Sequence, residues 1–202
     1  YNAGLRDFGE NYVQELVGNA EELADLTDLR WHLIGHLQRN KARQIVAAAS
    51  AVATVDSAAL ATELGRRAAA CPVAPGRRLP SAPDGRLVVL VEVNVGGEEA
   101  KSGCAPEQLA AVLDAVEREP GLVLRGLMTV PPYTEDPNLA RPFFERLVAL
   151  REAHGGPSRL PELSMGMTHD LEVAIAAGAT QVRVGTAIFG TRAPRPPRAT
   201  SP

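Results

Sequence analysis

LSMGMTHDLEVAIAAGATQVRVGTAIFG, residues 163–190, is the stretch whose reading decides the fold. Leu163, Ser164 and Met165 form a short apolar run into Gly166, and Thr168 sits where a helix is expected to begin. Asp170 and Glu172 fall in the first helical turn, Leu171, Ala174 and Ile175 are spaced as a buried stripe, and Gly178 is placed to end it. Residues 181–184 read as a second strand, with Val182 and Val184 on one face, Arg183 on the other, and Gly185-Thr186 breaking it. Two turns rich in Gly, Ser and Thr, one at a helix start, offer backbone N–H groups and hydroxyls, which is what an anion such as a phosphate requires. Arg183 adds a fixed charge just before the second turn. The plainer alternative is that Gly166 and Gly185 only turn the chain and Thr168 only caps a helix.

The same rhythm extends upstream. Strands are expected at 4–8, 30–34, 52–55, 87–95 and 122–130, and helices at 12–25, 40–49, 56–70, from Pro106, and at 139–153. LVVLVEVNV, residues 87–95, is apolar enough to be buried on both faces, as in a parallel sheet. The helix opened by Pro106 carries Leu109, Val112, Leu113 and Val116 on one face, and the helix at 139–153 carries Phe143, Phe144, Leu147 and Leu150. CPVAPGRRLPSAPDG, residues 71–85, is a Pro/Gly-rich loop rather than a domain linker, because the alternation resumes after it. Strands alternating with helices imply a parallel sheet. An eight-stranded barrel takes about 250 residues, and one βα unit of roughly 30 residues nearly closes the gap to this chain. The expected fold is therefore α/β, a (β/α)8 TIM-type barrel over residues 1–192 supplying strands two to eight, with the first strand and helix missing. A doubly wound open sheet is the alternative, weakened because no Gly-rich fingerprint follows the first strand. Residues 193–202, rich in Pro and Arg, are expected to be a disordered tail.

Bulk properties exclude several classes. The chain has 202 residues, enough for one domain with a substantial core. A net charge of −3 gives no footprint for nucleic acid, and no apolar run is long enough to span a bilayer. Cys71 and Cys104 stand far apart without a partner motif, which favours free thiols in a reducing cytoplasm over a disulfide. There is no HExxH, zinc spacing, P-loop or GxSxG. In TIM-type barrels the loops after strands seven and eight commonly hold a phosphate. Ser164–Thr168 and Gly185-Thr186 are those loops on this count. Asn11, His32, Gly35, Asn94, Met128 and Thr129 also fall at expected strand ends; His32 reads equally well as a barrel-interior histidine with a satisfied ring.

FGENYVQE (8–15), WHLIGHLQRNK (31–41), VNVGGEEAKSG (93–103), RGLMTVPP (125–132), SMGMTHDLEVAIAAGAT (164–180) and VRVGTAIFG (182–190) together closely resemble the pyridoxal phosphate homeostasis proteins, single-domain relatives of the alanine racemase barrel. The resemblance implies pyridoxal 5′-phosphate as cofactor. Ser164, Thr168, Gly185 and Thr186 would hold its phosphate, Arg183 would face the pyridine nitrogen, Asn11 would lie beside the ring and His32 near it. The family's Schiff-base lysine sits on the first barrel strand, and that block is expected upstream of Tyr1; Lys41 and Lys101 belong to other family blocks. The function implied is that of a cytoplasmic, monomeric cofactor carrier without strong turnover, with apo-enzymes as recipients. An amino-acid racemase is the alternative, opposed by the lack of a C-terminal β domain after Gly190. A third reading is an inert fragment whose open edges prevent independent folding.

Overall fold

The computed structural model describes residues 1–74, 76, 78–98 and 101–191. Seven strands run in chain order: β1 (Asp7–Glu10), β2 (Arg30–Leu33), β3 (Ala51–Val55), β4 (Leu87–Glu92), β5 (Leu122–Met128), β6 (Glu162–Met167) and β7 (Gln181–Arg183). Each pairs in parallel with the next, so spatial order equals sequence order, and the sheet curls into a nearly closed barrel with β1 and β7 at its edges. Parallel neighbours need a crossover, and helices provide it: α1 (Val13–Glu22), α2 (Ala42–Ala48), α3 (Ala58–Ala70), α4 (Leu109–Glu117), α5 (Arg141–Ala153) with the short α6 (Gly156–Arg159), and α7 (Leu171–Ala176). A single turn, α8 (Thr186–Phe189), follows β7.

Strand alternation divides the core into two layers. On β4, Leu87, Val89 and Val91 face outward into the large cluster under the helices, while Val88 and Leu90 face the barrel axis with Ala51, Ala53 and Met128. Glu92 continues the inward set. The helices dock by their expected faces: all of Leu109, Val112, Leu113 and Val116 are buried, and Phe144 and Leu147 are fully so, with Phe143 and Leu150 packed beside them. Each such Leu, Val or Phe contributes roughly 1.5–3 kcal/mol by leaving water, so the outer layer is the main source of stability.

Several expectations are corrected. The helix after β6 begins later than Thr168: Asp170 is its N-cap, and its Oδ1 accepts the Met167 N–H at 2.7 Å, tightening the chain into a turn first. Its buried residues are Val173 and Ala174, whereas Ile175, expected in the buried stripe, is 54% exposed. The strand expected to reach Val95 stops at Glu92, since Asn94 turns the chain by donating to the Glu98 carbonyl (2.8 Å) and accepting from Gly97 N–H (2.9 Å). The first strand starts at Asp7, after a turn in which Gly4 N–H bonds the Tyr1 carbonyl. Gly185-Thr186 does more than break β7, since Gly185 is the N-cap of α8. The tail expected at 193–202 lies outside the described residues.

Candidate functional site

Three strands converge on Arg183. It is the last residue of β7, and its guanidinium donates from Nη1 to Ser164 Oγ on β6 (2.8 Å) and from Nη2 to the carbonyl of Thr129 just past β5 (2.9 Å). Ser164 and Thr129 are themselves buried, so both acceptors are fixed. Neither is charged. Burial lowers the Arg183 pKa to about 10, opposed by the carboxylates of Glu92 and Asp170, and the guanidinium stays cationic at neutral pH. Glu92 enters the same interior from β4, only 7% exposed, with Oε2 lacking any hydrogen-bond partner. Burial first, then the negative charge of Asp56, push its carboxyl up to about 7, while Arg183 pulls it down.

Beside Arg183 the two Gly-containing loops meet. Gly166 has a φ of +91°, and a side chain there would also collide with Ala174 of α7, so only glycine lets the chain leave β6 this closely against its own helix. The turn that follows presents Thr168, whose Oγ1 accepts the Ala187 N–H from α8 at 3.4 Å. Thr186 opens α8, and the first amides of a helix have no acceptor within it. Gly185 faces open space, with nothing within 4 Å of where a Cβ would stand. Hydroxyls on Thr168 and Thr186, the amides of Gly185 and Thr186 and the adjoining Arg183 suit an oxyanion such as a phosphate ester. A half-buried arginine with neutral hydrogen-bond partners and open space at Gly185 also suit a flat, phosphorylated heterocycle.

The remaining expected residues divide between the two ends of the barrel. Asn11 is exposed just past β1, with its carbonyl packed so closely on Gly35 that no Cβ fits there. Thr54 Oγ1 anchors the Gly35 carbonyl at 2.8 Å, so this corner belongs to the C-terminal ends of β1 to β3. His32 faces the interior too, but its Nε2 donates to Asp7 Oδ1 at 2.9 Å at the opposite end. There it lines a cavity of about 680 Å³ with Asp7, Arg125, Glu162 and Gln181. The structure thus brings Ser164, Thr168, Arg183, Gly185 and Thr186 together, sets Asn11 on the same rim, and turns His32 toward the floor.

Sequence reasoning missed Glu92, Asp56 and Asp170. The first was hidden inside the most apolar strand, where a lone acid among Val and Leu was itself the signal. Among the described residues no group of three or more potential ligands could hold a metal, and no helix is long and apolar enough to cross a membrane.

A family model described as "Alanine racemase, N-terminal domain" matches residues 1–193. The chain is 47% identical over 191 residues to a pyridoxal phosphate homeostasis protein of Pseudomonas aeruginosa, covering 94% of this chain and 76% of that protein. It is 43% identical over 194 residues to the protein of that name from Aquifex aeolicus, covering 95% and 79%. Among solved structures it is similar to PipY of Synechococcus elongatus PCC7942 with PLP bound, at 37% identity and a TM-score of 0.77, covering 94% of this chain and 84% of that one. The chain therefore belongs to the alanine racemase N-terminal domain family and, within it, to the pyridoxal phosphate homeostasis proteins.

Proposed function

We propose that this chain binds pyridoxal 5′-phosphate at the C-terminal mouth of its barrel and serves in homeostasis of that cofactor. The observation that carries the reading is Arg183, cationic, half-buried, and pinned by Ser164 and Thr129 beside the paired Thr168 and Gly185-Thr186 loops. Ser164, Thr168, Gly185 and Thr186 hold the phosphate through hydroxyls and amides. Arg183 faces the pyridine nitrogen and, keeping its own proton, cannot protonate it. When bound, the cofactor supplies an aldehyde that reacts with amines and a ring that withdraws electrons, and an arginine partner leaves that ring a weak electron sink. This favours keeping the cofactor over turning it over. Asn11 sits beside the ring, and His32, held by Asp7 at the floor, lies below the ring without touching the cofactor. Lys101 is engaged by Glu98 at 2.6 Å and takes no part.

Within this reading the recipients are apo-enzymes, and the chain acts as a monomer in the cytoplasm. The unpaired Cys71 and Cys104 suit a reducing compartment. Calorimetric titration with pyridoxal 5′-phosphate tests it. Saturable one-to-one binding that inorganic phosphate competes away is the expected result, and no binding up to millimolar cofactor would overturn it.

A further inference from the structure

Glu92 takes no part in the set above, yet it is the most exceptional ionisable group in the barrel. A carboxyl on the inner face of a central strand, more than nine-tenths buried, ordinarily finds a donor; here Oε2 has none. The groups around it come from every element that packs there. Glu92 is in register with Met128, and Met128 with Ser164, whose Oγ accepts from Arg183 Nη1 at 2.8 Å, while Asp56, just past β3, has Oδ2 3.4 Å from His36 Nδ1. Cys104 comes from the loop after β4, its thiol pushed up to about 12 by burial and so neutral. Asp170, the N-cap of α7, acts on Arg183 from the far side. Arg183 is the one cation among them, and its own hydrogen bonds go to neutral oxygens.

We propose that Glu92 is the positioning residue for Arg183, a buried acid that changes from neutral neighbour to counter-ion and so sets how much of the guanidinium charge a phosphorylated ligand meets. With Glu92 protonated, Arg183 presents an uncompensated positive charge to the mouth. With Glu92 ionised, the two charges offset one another while Ser164 and Thr129 keep the guanidinium in place. A carboxyl titrating near neutrality makes this exchange accessible at ordinary pH. The sign follows from linkage. The folded state raises this pKa, so the contribution of Glu92 to stability is full below the unfolded carboxyl value and is lost as pH rises through about 7. Ligand affinity moves the same way, because ionisation removes net positive charge from the site.

The ligand part of this inference rests on the cofactor reading above; the Glu92–Arg183 coupling does not. Two measurements keep them apart. In the ligand-free chain with carbon-13-labelled glutamate carboxyls, one resonance is expected to titrate near neutrality, to vanish in Glu92→Gln, and to move to higher pH in Arg183→Met. Should all glutamates titrate in the ordinary acid range, or should the Arg183 variant leave the Glu92 resonance where it was, the proposal is overturned. If Arg183→Met does not fold, the thermal midpoint of Glu92→Gln carries the same test: wild type should lose stability relative to it between pH 5 and pH 8, and parallel profiles would overturn the coupling. Pyridoxal 5′-phosphate titrations at pH 6 and pH 8 are then expected to show Glu92→Gln binding about fivefold or more tighter than wild type at pH 8, and within twofold at pH 6. Identical profiles would overturn the proposal. Absence of binding by both proteins, with the coupled titration intact, supports the pairing and counts against the cofactor reading.

Discussion

At the N-terminal ends of the strands, Arg30 meets Asp7 at 2.6 Å, His32 donates to the same carboxylate at 2.9 Å, and Arg125 lies 3.1 Å from Glu162. At the C-terminal ends, Arg183 is held only by a hydroxyl and a carbonyl, and a carboxyl oxygen of Glu92 has no partner at all. Among the described residues, the floor therefore brings its interior charges together, whereas at the mouth Arg183 and Glu92 form no ion pair with any partner. Buried ionisable groups are costly unless paired. On the proposed reading, that difference separates the mouth, where the cofactor would bind, from the floor as architecture.

The contrast breaks most readily at Arg183. Replacing it with Ala should weaken pyridoxal 5′-phosphate binding by about 100-fold or more, since a charge-assisted hydrogen bond to a ligand is worth up to about 3 kcal/mol. The melting temperature should also fall, by about 2–4 °C, because the buried Ser164 hydroxyl and Thr129 carbonyl lose their shared donor. Calorimetric titration beside a thermal melt measures both, and unchanged affinity would place the site elsewhere.

Gly166→Ala comes next in size. Its φ of +91° and the collision with Ala174 act together, so a loss of about 2–4 kcal/mol is expected from backbone strain and overpacking. Denaturant unfolding gives the stability, and the surviving folded fraction should bind cofactor poorly because the Thr168 turn is displaced. A stable variant with normal affinity would mean that the turn is not held by that glycine.

Asp7 sharpens the comparison from the other end. Burial alone would raise its pKa, but hydrogen bonds from His32 and Arg30, with their charges, outweigh it and hold the carboxyl well below the usual range. A depressed carboxylate pKa contributes stability above the unfolded value near pH 4 and loses it as pH falls toward the folded one. Its side chain is 45% exposed, so after solvent screening the contribution is about 1 kcal/mol. Asp7→Asn should lower the melting temperature by about 2–4 °C at pH 7, with the gap to wild type narrowing in acid. Cofactor affinity should stay within twofold. A tenfold change would show that His32, released from Asp7, belongs to the ring pocket after all.

How far the sequence carried this picture differs by element. The β4 strand and the α4 face were legible because period-two and helical spacing are local properties that burial only has to endorse. That Ser164, Thr168, Gly185 and Thr186 would lie together was legible because turn chemistry and barrel position agreed. Glu92 was not, since its meaning depends on which face of β4 looks at Arg183, a relation spanning much of the chain. His32 was ambiguous for the same reason, as its partner is Asp7, well upstream in sequence. The start of α7 was misplaced by a competition invisible in propensities: Thr168 and Asp170 can both begin a helix, and Asp170 prevails by capturing the Met167 amide.

Thr168 probes the smallest effect and the finest part of the contrast. Its Oγ1 accepts the Ala187 amide at 3.4 Å, a long bond that joins the turn after β6 to α8. If that bond were the residue's whole purpose, Thr168→Ala would cost about 0.5 kcal/mol in stability and nothing in binding. A hydroxyl that also donates to a phosphate should instead show itself chiefly in the ligand: affinity for pyridoxal 5′-phosphate falling about three- to fivefold, with affinity for unphosphorylated pyridoxal unchanged. Thr168→Ser, which keeps the hydroxyl and removes the methyl, should restore most of the loss. Equal effects on the two ligands would assign Thr168 to the scaffold and leave the phosphate to Ser164, Gly185 and Thr186. A loss confined to the phosphorylated ligand, repaired by Ser, would put it on the ligand side of the line that divides the mouth from the floor.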